Sequence, residues 1–264
     1  MANLALYSCV FVFGLIAGSF MNVCIYRIPR GMSVASPRSH CPACGTPLKA
    51  YEMIPLAGYA LLRGRCSSCG AAIPFRYPLV ELASGALCAV LFWKFGASFR
   101  FACYAALCMI YTAVFFIDLE WMRIPNVLVV YALIPACALW VEYLFFLTPP
   151  ERFRSVYNSI NGSGPLLGLI PCAAFLLIYA VSAIAGKGKS AIGMGDIKLL
   201  IPTGLALGFR QCLLAVFISV ILGGLTGAVL LISHKKNKKD PIPFGPFIVV
   251  GAIAAIIVPS AVFF

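Results

Sequence analysis

Two aspartates stand out in a chain that otherwise avoids acid. Only eight of its 264 residues are Asp or Glu, and a hydrophobic chain keeps a carboxylate near a bilayer for a use or a partner. Asp196 lies in Gly193-Met194-Gly195-Asp196-Ile197-Lys198, at the start of an apolar run. Gly193 and Gly195 carry no Cβ, so a peptide backbone can come close to the acid and the chain is free to take positive φ there. Lys198 completes this supporting loop. Asp118 closes a different apolar run, in Phe116-Ile117-Asp118-Leu119-Glu120-Trp121, shortly before Ile124-Pro125-Asn126. Two carboxylates within a few ångströms do not ionise together easily. One can then hold a proton as general acid while the other activates water, as aspartic proteases do. The bland alternative is a pair of interfacial ion pairs, Asp118 with Arg123 and Asp196 with Lys198. Glu120 points to another face of a continuing helix, and Glu81 is available as a supporting group.

The second constellation is Cys41-Pro-Ala-Cys44 with Cys66-Ser-Ser-Cys69, two C-x2-C knuckles each followed by glycine, Gly45 or Gly70. Four thiolates match a closed tetrahedral Zn2+ site, which is structural because no coordination position stays open. The other eight of the twelve cysteines are scattered through apolar runs, where a thiol behaves as a small hydrophobe. The only histidines are His40 and His234, both in predicted loops. A His-Glu-x-x-His metal site and a Ser-His nucleophile within the membrane are therefore excluded.

The elements that must position these groups are membrane helices. The chain is 62% hydrophobic and 11% charged, with a mean hydropathy of +0.99, far from the composition of a soluble domain. Apolar runs predict about eight spans, near 4–26, 79–95, 100–118, 126–147, 165–186, 197–209, 211–232 and 244–263. The fold class is thus an all-α polytopic membrane protein in a lipid bilayer, with a break near Arg210 between the sixth and seventh spans. Three parts follow: a first span at 1–26, a four-cysteine loop domain at 27–78, and a seven-span membrane domain at 79–264. With this count fifteen of the twenty Lys and Arg fall on one side. Only Lys94, Arg100, Arg152, Arg154 and Arg210 fall on the other. The positive-inside rule makes the 27–78 loop cytoplasmic and both termini external. Asp118 and Asp196 then meet at the same, cytoplasmic, membrane edge. The net charge of +12 reports this orientation, and no nucleic-acid partner is expected. The spacings Gly14/Gly18, Gly204/Gly208 and Gly223/Gly227 predict close helix packing, and 148–164 reads as a polar outer connection.

Taken in order, the motifs resemble the type IV prepilin peptidase family along nearly the whole chain. The resemblance rests on Gly18-Ser19-Phe20-Met21-Asn22-Val23 leading to Tyr26-Arg27-Ile28-Pro29, and on the cysteine loop running into Arg76-Tyr77-Pro78-Leu79-Val80-Glu81. It continues through Asp118 with Ile124-Pro125-Asn126, the Gly193–Lys198 stretch, and Pro243-Phe244-Gly245-Pro246-Phe247. It implies a bacterial inner-membrane aspartic endopeptidase with catalytic residues matching Asp118 and Asp196. Its substrates would be prepilins or pseudopilins, cut on the cytoplasmic side after a glycine that follows a short basic leader. It also implies S-adenosylmethionine-dependent N-methylation of the new N-terminus, associated with members that keep the cysteine loop. Many members have Asp where this chain has Glu120. The sequence carries no glycine-rich cofactor fingerprint, which leaves the 27–78 loop, with Glu81 near it, as the place for the methyl donor. A proton- or cation-coupled transporter with a zinc-binding regulatory loop, or a non-enzymatic assembly scaffold, are the readings from other classes. Acids at one membrane face rather than mid-bilayer argue against the transporter.

Overall fold

The computed structural model describes residues 2–145, 165–185, 193–233 and 242–258. The outer connection 148–164, Lys187, Lys189, His234 and the lysines at 235–239 lie outside them. Among the described residues the chain is helical, with two isolated β-bridges in the cysteine loop and no strand. The major helices are α1 (Ala2–Arg27), α2 (Ala57–Leu61), α3 (Arg76–Phe95), α4 (Phe99–Trp121), α5 (Asn126–Phe145), α6 (Ile170–Ala185), α7 (Met194–Ile232) and α8 (Gly245–Ile257). Five stretches are long and apolar enough to cross a membrane: Leu4–Arg30, Arg76–Phe95, Phe99–Trp121, Asn126–Tyr143 and Met194–Ile232. Leu167–Val181 and Gly245–Ile257 are shorter apolar helices.

The chain divides into two compact units, Met1–Ala113 and Val114–Phe264. In the first unit, α1 and α3 pack through small residues. A Cβ on Gly14 would lie 2.8 Å from Gly85 Cα, and one on Gly18 would lie 2.7 Å from Ser84 Cβ. Larger side chains would hold the helices apart and forfeit the dispersion contacts that drive association in lipid. Between α1 and α3 runs the cysteine loop, tied down by Arg27. This 4%-exposed guanidinium donates to the carbonyls of Ser33, Val34, Pro37 and Arg38 at 2.7–3.5 Å.

In the second unit, the 39-residue α7 would be about 58 Å long if straight, near twice the ~30 Å hydrocarbon thickness. It is not straight. Gly208 has φ 72° and ψ 179°, a combination essentially restricted to glycine. The neighbours show that the chain reverses there. A Cβ at Gly223 would lie 3.0 Å from the Phe244 ring, while the adjacent Gly245 bonds Asp118, whose charge reaches Asp196 near the start of α7. A straight helix would separate residues 196 and 223 by about 40 Å. The break predicted at Arg210 thus falls two residues earlier, at the residue whose backbone allows it. Gly204 faces Gly168 across a backbone-to-backbone contact. Ser219 Oγ lies 2.9 Å from the Phe247 carbonyl, locking the second arm of α7 to α8.

Candidate functional site

Asp118 occupies the last turn of α4. The helix stops just beyond it, where Met122 turns to φ 47° with its N–H on the Asp118 carbonyl at 2.9 Å. Pro125 biases Ile124 away from helical conformation, and α5 starts directly afterwards at Asn126. The Asp118 carboxylate is 4% exposed, and the backbone N–H of Gly245 donates to its Oδ2 at 3.1 Å. Gly245 opens α8, so the carboxylate sits where unsatisfied helical amides point at an anion.

Asp196 lies in the first turn of α7 and is 8% exposed. The two carboxylates are close enough to interact electrostatically. Among the described residues neither forms an ion pair. Lys198 Nζ donates instead to Asn126 Oδ1 at 3.0 Å, and Arg123 is exposed. Glu120 is also exposed, on the other side of α4 from buried Asp118.

Three glycines shape the surroundings. A Cβ on Gly193 would fall 2.9 Å from Asp196 Oδ2, one on Gly195 would fall 3.2 Å from Ile124 Cβ, and one on Gly245 would fall 2.7 Å from Asp118 Oδ2. Close approach is therefore the reason for glycine at 193. Gly193 has φ −72°, so the positive φ that its lack of Cβ allows is not used. Gly245 and Ile124 belong to motifs that carry the family resemblance, but the sequence assigns neither of them a place beside the aspartates. The available signal was a glycine followed by Pro246 at a helix start.

The four cysteines form a separate site in the first unit. Their sulfurs all lie within 4.8 Å of one another, and Cys41 Sγ is 3.9 Å from Cys69 Sγ. Four sulfurs bound tetrahedrally at ~2.3 Å from an ion would stand about 3.8 Å apart, so the cluster fits a metal ion of that type. The two knuckles are copies of one turn. Cys41 N–H bonds the Thr46 carbonyl and Gly45 N–H the Cys41 carbonyl, as Cys66 N–H bonds Ala71 and Gly70 N–H bonds Cys66, all at 2.8–2.9 Å. Gly45 and Gly70 have φ 72° and 71°, where any other residue is strained. The Thr46 hydroxyl, 3.2 Å from Cys44 Sγ, brings that thiol down to about 6. The Cys69 backbone lowers Cys66. Cys69, although lowered by the Ala71 backbone, is pushed up to about 11 overall by the Cys44 and Cys66 sulfurs. Four adjacent thiols resist ionising together until a cation offsets their charge.

Glu81 lies in the first unit, 8% exposed, and its Oε2 accepts the Leu56 N–H at 2.8 Å.

The model of the bacterial Peptidase A24 N-terminal domain matches residues 12–95, and that of the type IV leader peptidase family matches residues 105–228. A Bacillus subtilis protein named prepilin leader peptidase/N-methyltransferase is 34% identical over 248 residues, covering 94% of this chain and 92% of the relative. The chain belongs to the type IV leader peptidase family. Relatives of the same name from Stutzerimonas stutzeri and Pseudomonas aeruginosa are 31% and 30% identical, each over 96% of this chain and 91% of the relative. No solved structure matches. Within the leader peptidase frame, the N-terminal match spans all four clustered cysteines and Glu81. The second match spans Asp118 and Asp196 and ends before Gly245.

Proposed function

We propose that this chain is a bacterial inner-membrane aspartic endopeptidase that removes the leader of type IV prepilins or pseudopilins, and then N-methylates the new N-terminus with S-adenosylmethionine. The observation that carries the peptidase reading is the pair Asp118 and Asp196, both buried, in electrostatic contact and free of ion pairs among the described residues. The names of the relatives motivate the methyl transfer.

In the proposed cleavage, one carboxylate accepts a proton from water as the water oxygen bonds to the scissile carbonyl carbon. The other, protonated, carboxyl donates to the carbonyl oxygen. The tetrahedral intermediate then collapses: the C–N bond breaks and the leaving nitrogen takes a proton from the pair. One water is consumed, and a carboxylic acid and an amine are formed. Gly245 N–H fixes the Asp118 rotamer, and Gly193 and Gly195 leave room for an extended backbone. The cleavage site proposed is the glycine at the end of a basic leader. The pair is assigned to the cytoplasmic membrane edge, with both termini periplasmic, because that arrangement gathers fifteen of twenty Lys and Arg on the cytoplasmic side.

Cys41, Cys44, Cys66 and Cys69 would hold Zn2+ as a closed structural site that fixes the loop. Nothing in the comparisons favours a transporter. The test is to incubate the purified chain, in detergent or lipid, with a prepilin and S-adenosylmethionine and to measure the N-terminal mass of the product. Loss of the leader supports the peptidase, and a further methyl group dependent on the donor supports the transferase. An unchanged prepilin contradicts both.

A further inference from the structure

The apolar helix α3 has 20 residues and is about 30 Å long, the full thickness of the hydrocarbon core. With no turn to spare, its first residues stand at the membrane edge. Phe75, Leu79, Leu82, Val90 and Trp93 are exposed and recur at helical spacing on one face, so that stripe is the side turned to lipid. The cysteine loop folds back to the same depth. Leu56 N–H reaches the carboxylate of Glu81, five residues into α3, while Met53 and Ile54 share a cavity wall with Phe20, seven residues before the end of α1. Those are steps of about 8 and 10 Å along the two helices.

At this depth the loop turns an apolar face outwards. Ile54 and Leu61 are 50% and 69% exposed, and with exposed Ala57 they are spaced i, i+3, i+7 through the turn that becomes α2. Gly58 is buried, and Tyr59 and Leu62 face the cavity. A short helix facing water would carry polar residues on its outer side. Tyr59 also sets its ring edge-on to Phe75 at 6.5 Å, which joins α2 to the first residue of the lipid-facing stripe. The flanks are basic. Lys49, Arg63 and Arg65 are exposed, and the one acid of the stretch 49–65, Glu52, is taken up by Lys49 N–H and the Ser67 hydroxyl.

We propose that the segment 49–65 docks on the bilayer surface: Ile54, Ala57 and Leu61 enter the boundary between headgroups and acyl chains, and Lys49, Arg63 and Arg65 meet the phosphates of anionic lipids. An apolar face with basic flanks is what interfacial helices present to such a surface. Continuity with the stripe on α3 selects lipid over a protein partner. The bilayer then fastens the cysteine loop alongside Arg27 and the four thiols, and the order of the loop depends on lipid charge.

The full chain carrying Leu61→p-benzoylphenylalanine is reconstituted in liposomes of phosphatidylethanolamine and phosphatidylglycerol, with a prepilin present, and illuminated. The same group at Trp93, on the α3 stripe, is the control for lipid capture. An adduct of phospholipid mass on the peptide holding residue 61 is expected. An adduct of protein mass, from a second copy or the prepilin, overturns the docking, as does no adduct while Trp93 captures lipid. Hydrogen exchange of the wild type in nanodiscs is the second readout, independent of any variant. Amides in 50–65 should exchange ~10-fold more slowly in phosphatidylglycerol than in phosphatidylcholine, and the difference should shrink at ~0.5 M salt, where charges are screened. Arg63→Gln with Arg65→Gln should remove it with zinc content unchanged. Equal exchange of the wild type in the two lipids overturns the proposal.

Discussion

Gly245 and Asp118 stand 127 residues apart in sequence, yet the amide of one donates to the carboxylate of the other at 3.1 Å in a buried setting. Glycine lets the two approach this closely, because a Cβ would come within 2.7 Å of Asp118 Oδ2 and 3.0 Å of Ile124 Cδ1, and one of those side chains would have to move. Ile124 in turn limits Gly195. One side chain therefore relays the position of α8 to the segment that carries Asp196.

Gly245→Ala should displace the Asp118 carboxylate or Ile124. Overpacking of this kind costs ~1–3 kcal/mol, and misplacing a reacting group by about 1 Å can cost ~100-fold in rate. Leader cleavage should fall by about that factor while the protein still purifies as a folded monodisperse species. A variant with normal cleavage would show that the carboxylate does not depend on this contact.

The break in α7 should tolerate no side chain. Gly208→Ala places a Cβ in a conformation that costs ~1–3 kcal/mol or more, so thermal unfolding in detergent should shift down. An unchanged midpoint would mean that the reversal does not need φ 72°.

Removing metal from the cysteine cluster should loosen the loop between α1 and α3. Chelation, or Cys41→Ser with Cys66→Ser, should release one zinc per chain and expose 41–72 to protease. Metal analysis together with limited proteolysis checks this. A chain that never carries metal and resists protease regardless would contradict a structural zinc site.

Arg27 makes a further case. Its planar fork serves four carbonyls, two at 2.7–3.0 Å, and an ammonium cannot reproduce that geometry. Arg27→Lys should therefore speed hydrogen exchange in 33–38 despite keeping the charge. Unchanged exchange there would show that the loop is held by other contacts.

The parts of this architecture legible in the sequence were those with a short-range or periodic signature. The knuckles declare themselves through C-x2-C-G, because the turn that presents two sulfurs also needs a glycine at positive φ. The spans declare themselves through apolar length. The bias in Lys and Arg predicts one membrane edge for Asp118 and Asp196, and the structure brings the two carboxylates within electrostatic reach of each other. Contacts between distant segments were less visible. The reversal was read at Arg210 because charge was the only local marker, whereas Gly208 supplies the backbone freedom. Membrane side is all that the sequence says of Glu81. Its bond to Leu56 depends on a loop conformation that no periodicity encodes. Gly245 stands in a recognisable motif, yet nothing in Phe244-Gly245-Pro246 says which carboxylate its amide will meet.

The most direct measurement is the N-terminal mass of a prepilin after incubation with wild type, Asp118→Ala and Asp196→Ala, each purified, zinc-loaded and shown to be folded. The account predicts leader removal by wild type and, because both carboxylates are needed, losses of more than ~1,000-fold in each variant. Cleavage that survives either substitution would contradict the assignment of that aspartate to the catalytic pair.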